Sequence, residues 1–130
     1  IAIPDGLVAP ALLDCAAKDL ATISTELRDL VARTKIGKLR PAEFTEQTFT
    51  LSNLGSFPVT QFTAIVTPPQ VAILATGRSE SRAVVRDGAV VARTMLTATL
   101  SADHRAVDGA LVAAFLGDLK SRLEAPAGLA

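Results

Sequence analysis

Asp103-His104-Arg105-Ala106-Val107-Asp108-Gly109 places the only histidine of a 130-residue chain beside two carboxylates and a guanidinium. An imidazole so flanked could serve three kinds of chemistry. His104 and Asp108, four positions apart, could share a metal, but zinc takes three or four ligands and the chain has neither a second histidine nor clustered cysteines to complete the set. A serine hydrolase would use the histidine as its base. No Gly-x-Ser-x-Gly elbow is present, and only folding could match a serine to His104. The third chemistry is general-base catalysis on a substrate thiol or hydroxyl, with a separate hydroxyl donating to the oxyanion. An alkyl thiol resembling cysteine has a pKa of about 8.5, so little of it is thiolate at neutral pH and an adjacent base raises its reactivity without a covalent enzyme intermediate. Each neighbour also has a plainer use. Asp103 and Arg105 can pair locally to shape a turn, Asp108 can cap a helix, and a lone histidine can be structural or simply solvated.

Positioning such a loop needs a strand before it and a helix after it. Thr94 to Ala102 reads as the strand, with Met95, Ala98 and Leu100 among its apolar positions. Asp108-Gly109 opens the helix with Asp108 as its cap, and Leu111, Val112, Phe115, Leu116, Leu119 and Leu123 form its expected core stripe. Upstream, Asp87-Gly88 between β-branched runs predicts a hairpin with a primed turn over residues 83–91. Val71 to Gly77 is apolar enough for a strand buried on both faces, and Thr67-Pro68-Pro69-Gln70 before it reads as a rigid extended linker. From Thr48 the pattern has period two and stops at Asn53-Leu54-Gly55-Ser56.

Nearer the start, Leu20, Ile23, Leu27, Leu30, Val31 and Thr34 fall on one face of a helix that Asp19 or a neighbour can cap and that Gly37 ends. Glu26, Arg28, Asp29 and Arg33 opposite them read as a solvated face. A short helical turn is expected behind Pro41, a turn at Pro4-Asp5-Gly6, an edge or irregular strand over residues 7–13, and a frayed tail over residues 125–130. The order is α+β, with helices packed on a mostly β layer.

Composition bounds the possibilities further. The length suits one domain with a real core, 49% of residues are apolar, and phenylalanine is the only aromatic. Thirteen basic and thirteen acidic residues cancel without any run of like charge, which argues against nucleic acid or an anionic membrane as partner. Cys15 is the only cysteine, so an internal disulfide is impossible, and a buried, inert thiol in a reducing compartment is the expectation. No window reaches the roughly 20 apolar residues of a bilayer span, which reads as a soluble protein of the cytoplasm or an organelle matrix. The abrupt opening Ile1-Ala2-Ile3-Pro4 suggests a fragment of a longer polypeptide.

Residues 103–109 resemble the DHRxxDG signature of the dihydrolipoamide acyltransferases, core subunits of the 2-oxoacid dehydrogenase complexes. Other segments agree in order and spacing: Pro4-Asp5-Gly6-Leu7-Val8 with Pro10, the Thr48 to Gly55 strand, Phe62-Thr63-Ala64-Ile65, and Pro68 to Leu74. The resemblance implies the coenzyme A-dependent acyltransferase fold, similar to chloramphenicol acetyltransferase: a mixed sheet with packed helices, incomplete in this chain. It implies a homotrimer with each site between two subunits, assembled into a larger core with decarboxylase and dihydrolipoamide dehydrogenase subunits. His104 would be the general base for the thiol of coenzyme A or dihydrolipoamide, Ser52 would donate to the oxyanion, Asp108 would support the site, and Asp103 with Arg105 would hold the loop. Coenzyme A is then a substrate, and the lipoyl group is carried on a domain outside this chain. The match is to the C-terminal part of the family's catalytic domain, without its earlier half and without the lipoyl and peripheral-subunit-binding domains. Ala102 replaces the usual aromatic before the motif, and a usual proline upstream is replaced near Thr97. Two other readings stand beside this one. A non-catalytic oligomeric scaffold fragment is one; a free-standing small-molecule acetyltransferase is the other, disfavoured by the segments at 52–55 and 68–74.

Overall fold

The computed structural model describes residues 1–4 and 6–128, in two compact units: Ile1–Thr48 with Phe115–Ala130, and Phe49–Ala114. Asp5 of the expected first turn and residues 129 and 130 of the expected tail lie outside the described residues.

In the first unit, β1 (Ala2–Ile3) and β2 (Gly6–Leu7) pair antiparallel. The strand expected over residues 7–13 ends at Leu7, and the chain continues irregularly past Pro10, which cannot donate to a ladder. A single 3-10 turn follows at Cys15–Ala17, with no buried residue. Cys15 is therefore exposed, not buried, with its thiol 3.2 Å from the Leu12 carbonyl. Helix α1 (Leu20–Lys35) begins where Asp19 accepts the Thr22 N–H at 2.7 Å. It ends in a Schellman arrangement, with Gly37 at φ 67°, its N–H on the Thr34 carbonyl and the Lys38 N–H on the Arg33 carbonyl. Leu30 and Thr34 are buried, while Leu20 and Leu27 stay exposed, so the apolar stripe is covered only toward its C-terminal end.

The opposite face of α1 is more than a solvated surface. Arg33 forks onto Glu43 of α2 (Ala42–Thr45), with Nη1 and Nη2 each 2.7 Å from a carboxylate oxygen. Arg40 adds its backbone N–H, Nε and Nη2 to the same carboxylate. Glu43 is only 1% exposed, and these charge-assisted donors compensate its removal from water. Arg33 first, then Arg40, hold its carboxyl far below the usual carboxylate range, and Glu43 and Asp29 raise the Arg33 guanidinium in return.

In the second unit, β3 (Thr50–Asn53) runs parallel to β4 (Ala72–Thr76), with Ser52 level with Ala75. Ala72, Ile73, Leu74 and Ala75 are buried in succession, as a strand covered on both faces requires. The expected linker before β4 is instead a reversal. Gln70 N–H closes it on the Thr67 carbonyl at 3.1 Å, and the Pro68–Pro69 peptide is cis. After β4 the backbone passes so close to residue 60 that a Cβ on Gly77 would run into the Thr60 carbonyl. β5 (Glu80–Arg86) and β6 (Ala89–Met95) form the hairpin, Arg86 opposite Ala89, leaving Asp87 and Gly88 at φ 51° and 79° as a primed two-residue turn.

The long strand expected from Thr94 to Ala102 is two strands. Its first part pairs with β5, whereas β7 (Ala98–Ala102) pairs antiparallel with β4, and Leu96-Thr97 makes the change of partner. The result is a three-stranded mixed sheet in the order β3-β4-β7. Helix α3 (Gly109–Glu124) follows, and none of its residues is buried: Leu111 is 59% and Leu123 54% exposed. Of its expected core stripe, Val112, Leu116 and Leu119 are half-buried and Leu111 and Leu123 are exposed.

Candidate active site

Asp103 builds the loop that carries His104. Its N–H reaches the Val71 carbonyl at 2.8 Å, extending the β4–β7 ladder, and its own carbonyl accepts the N–H groups of Ala106 and Val107 at 3.0 Å. Its Oδ1 accepts the Arg105 backbone N–H and Nε at 3.0 Å each, and Oδ2 accepts Nη2 at 2.7 Å. This is an Asx turn reinforced by a forked ion pair. Arg105 holds the Asp103 carboxyl down at about 2, and its own guanidinium is raised in exchange. Arg105 itself lies mostly in water, so the pair sets the shape of the loop more than it stabilises the fold. The local pairing expected of Asp103 and Arg105 is thus present.

Asp108 is a helix cap: its Oδ1 accepts the Leu111 N–H at 2.8 Å at the start of α3. That fixes where the loop ends. His104 between these anchors is exposed, and among the described residues no hydrogen bond occupies its ring. The loop therefore presents a free imidazole from a backbone tied down on both sides.

Ser52 sits on β3, half-buried, on the same face as Thr50 by strand alternation, and its hydroxyl has no partner among the described residues. The register puts Ser52 level with Ala75 and Thr99, three rows short of Ala102. Two strand spacings across and three residues along amount to about 14 Å, with the His104 loop still beyond. One chain therefore does not bring Ser52 and His104 together, although it holds His104, Asp103, Arg105 and Asp108 in a single loop and cap.

A buried polar pair lies between the two regions. Thr50 Oγ donates to Gln70 Oε1 at 2.6 Å, and Gln70 is 7% exposed at the end of the proline turn, directly before Val71. Sequence reading passes over both residues; the available signal is an uncharged amide between prolines and a wholly apolar strand. A cavity of about 320 Å³ lies in the first unit, lined by Leu30, Arg33, Arg40 and Glu43 among others, and includes none of the residues singled out for chemistry. Among the described residues no group of three or more His, Cys, Asp or Glu side chains could hold a metal ion, and no helix is long and apolar enough to cross a membrane.

Comparison with known proteins adds four findings. The model of the family described as 2-oxoacid dehydrogenases acyltransferase (catalytic domain) matches residues 1–130. The dihydrolipoyllysine-residue acetyltransferase component of the pyruvate dehydrogenase complex of Rickettsia felis is 42% identical over 127 residues, covering 98% of this chain and 31% of that protein. The solved cubic core of the pyruvate dehydrogenase multienzyme complex matches with a TM-score of 0.89 at 34% identity, over 95% of this chain and 51% of the other. Azotobacter vinelandii dihydrolipoamide acetyltransferase, solved to investigate one serine, one histidine and one asparagine in its catalytic mechanism, matches with a TM-score of 0.88 at 36% identity, over 93% and 50%. The chain thus spans about a third of the relative and half of each solved chain.

Proposed function

Because the chain belongs to the catalytic-domain family of the 2-oxoacid dehydrogenase acyltransferases and has their coenzyme A-dependent acyltransferase fold, we propose that it transfers an acyl group between dihydrolipoamide and coenzyme A. One observation carries the assignment of residues. The serine and histidine studied in the Azotobacter enzyme are 52 positions apart and the asparagine follows four later; Ser52, His104 and Asp108 have the same spacing. Asparagine and aspartate are equally good helix caps, so the difference at the third position leaves the role seen here, closing the loop onto α3, intact.

The chemistry follows from the groups present. His104 takes the thiol proton of coenzyme A, and the thiolate attacks the carbonyl carbon of the acyl-dihydrolipoamide thioester. The tetrahedral oxyanion accepts a hydrogen bond from the Ser52 hydroxyl. Collapse breaks the bond to the dihydrolipoamide sulfur, which recovers the proton from the His104 imidazolium. Asp103 and Arg105 keep the imidazole on a loop of fixed shape, so no reorganisation is required when charge develops.

The separation of Ser52 from His104 within one chain supports a site shared by two copies, each giving one of the two groups, in a homotrimer that packs into a larger core. The cubic core among the structural matches and the naming of the relatives as complex components support that setting. The lipoyl group arrives on a domain outside this chain, and decarboxylase and dihydrolipoamide dehydrogenase are the companion enzymes. Acetyl is the acyl group we assign, since the relatives described above are acetyltransferases. An acyl-transfer assay of the full-length enzyme with acetyl, succinyl and branched-chain donors tests this. Turnover of coenzyme A with the acetyl donor at the highest kcat/KM is expected; no transfer with any donor would overturn the reading.

A further inference from the structure

We infer that Gln70, held by Thr50, is a positioning residue for the general base His104. The inference rests on the function proposed above and adds a residue pair to it. The connection runs through four consecutive links within the second unit. Thr50 Oγ donates to Gln70 Oε1 at 2.6 Å. Gln70 is covalently joined to Val71, and its own N–H closes the Thr67 turn. The Val71 carbonyl accepts the Asp103 N–H at 2.8 Å, one peptide before His104. Asp103 then fixes the loop through its carbonyl and carboxylate.

Burial gives this chain of contacts its force. Gln70 is 7% exposed, so its amide cannot exchange its partner for water without opening the turn. Val71 beside it sits at the point where the ladder to β7 changes into the loop: the last paired residues are Ala72 and Ala102, and the Val71–Asp103 bond follows them. A shift of Gln70 therefore moves the acceptor that holds Asp103, and with it the imidazole. Displacement of a catalytic group by about 1 Å can cost about 10²-fold in rate. Thr50 belongs to the same strand face as Ser52, two residues away, so the pair also ties the strand bearing the oxyanion donor to the loop bearing the base.

The test uses Thr50→Val and Gln70→Met, which keep shape and remove the donor or the acceptor, in the assembled full-length acyltransferase, with and without His104→Ala. Each is expected to lower kcat by about tenfold, with KM for coenzyme A and dihydrolipoamide within about twofold. Thr50→Ser, which keeps the hydroxyl, restores kcat. In the His104→Ala background neither change lowers the residual rate further, because the group they position is gone. Should Gln70→Met fail to fold, Thr50→Val decides alone. An equal fold-loss in both backgrounds, or an unchanged kcat in Thr50→Val, overturns the inference while leaving the role of His104 standing. Full activity of His104→Ala by itself would overturn both.

Discussion

Removing the His104 ring by His104→Ala should lower turnover by about 10²- to 10⁴-fold, the usual worth of a positioned general base. Ser52→Ala should cost about 10²- to 10³-fold, as loss of one oxyanion donor does elsewhere. Steady-state assays of both variants, alongside circular dichroism to confirm folding, check these values; a loss of melting temperature with unchanged kcat would point to structural roles instead. Asp108 separates capping from chemistry in another way. Asp108→Asn keeps the cap and should be nearly neutral in stability, whereas Asp108→Ala should cost about 1 kcal/mol in a thermal or urea melt. Asp103 gives a pH prediction. Its carboxyl lies at about 2 in the folded loop against an ordinary 3.8, so its hold on Arg105 is present in full above the ordinary value and is lost as pH falls through about 2. The Arg105 amide resonance should therefore stay in place down to about pH 3 and move with a midpoint at about pH 2, and Asp103→Asn should abolish the movement.

Two glycines test elements of the second unit. Gly88 sits at φ 79° in the hairpin turn, where a side chain costs about 1–2 kcal/mol, so Gly88→Ala should lower stability by that amount without changing KM. Gly77→Ala should be worse, because its Cβ would meet the Thr60 backbone and not a flexible side chain, and soluble expression of the variant should fall. The elements themselves are largely legible in the sequence. Asp87-Gly88 declares its turn, Asp19 and Asp108 declare their caps, and the unbroken apolar run at 71–77 declares a doubly covered strand, since each signal is local. What escaped sequence reading depends on partners distant in the chain. The break at Leu96-Thr97 exists because β6 and β7 answer to different strands. Arg33 looked like one more surface charge, and only folding brings it to Glu43. Gln70 and Thr50, twenty positions apart, carry no local pattern that would pair them. The histidine loop was legible as a motif, whereas its relation to Ser52 was not, because alternation along β3 says nothing about which strand lies two places away.

At the scale of the molecule, large apolar side chains stand exposed on both the Ser52 strand and α3. Leu51 on the Ser52 strand, and Leu111 and Leu123 along α3, are exposed. Such faces are consistent with a chain that spans half of the solved chains it matches and whose relatives build a multimeric core. The central claim is that catalysis uses Ser52 of one copy with His104 of another. Mixed trimers test it most directly: full-length Ser52→Ala and His104→Ala chains, each inactive alone, are co-expressed in equal amounts and the purified assembly is assayed for acyl transfer to coenzyme A. A site shared between copies regains about a quarter of wild-type turnover, the statistical share of interfaces that join an intact Ser52 to an intact His104. Turnover no higher than that of either variant alone would contradict it.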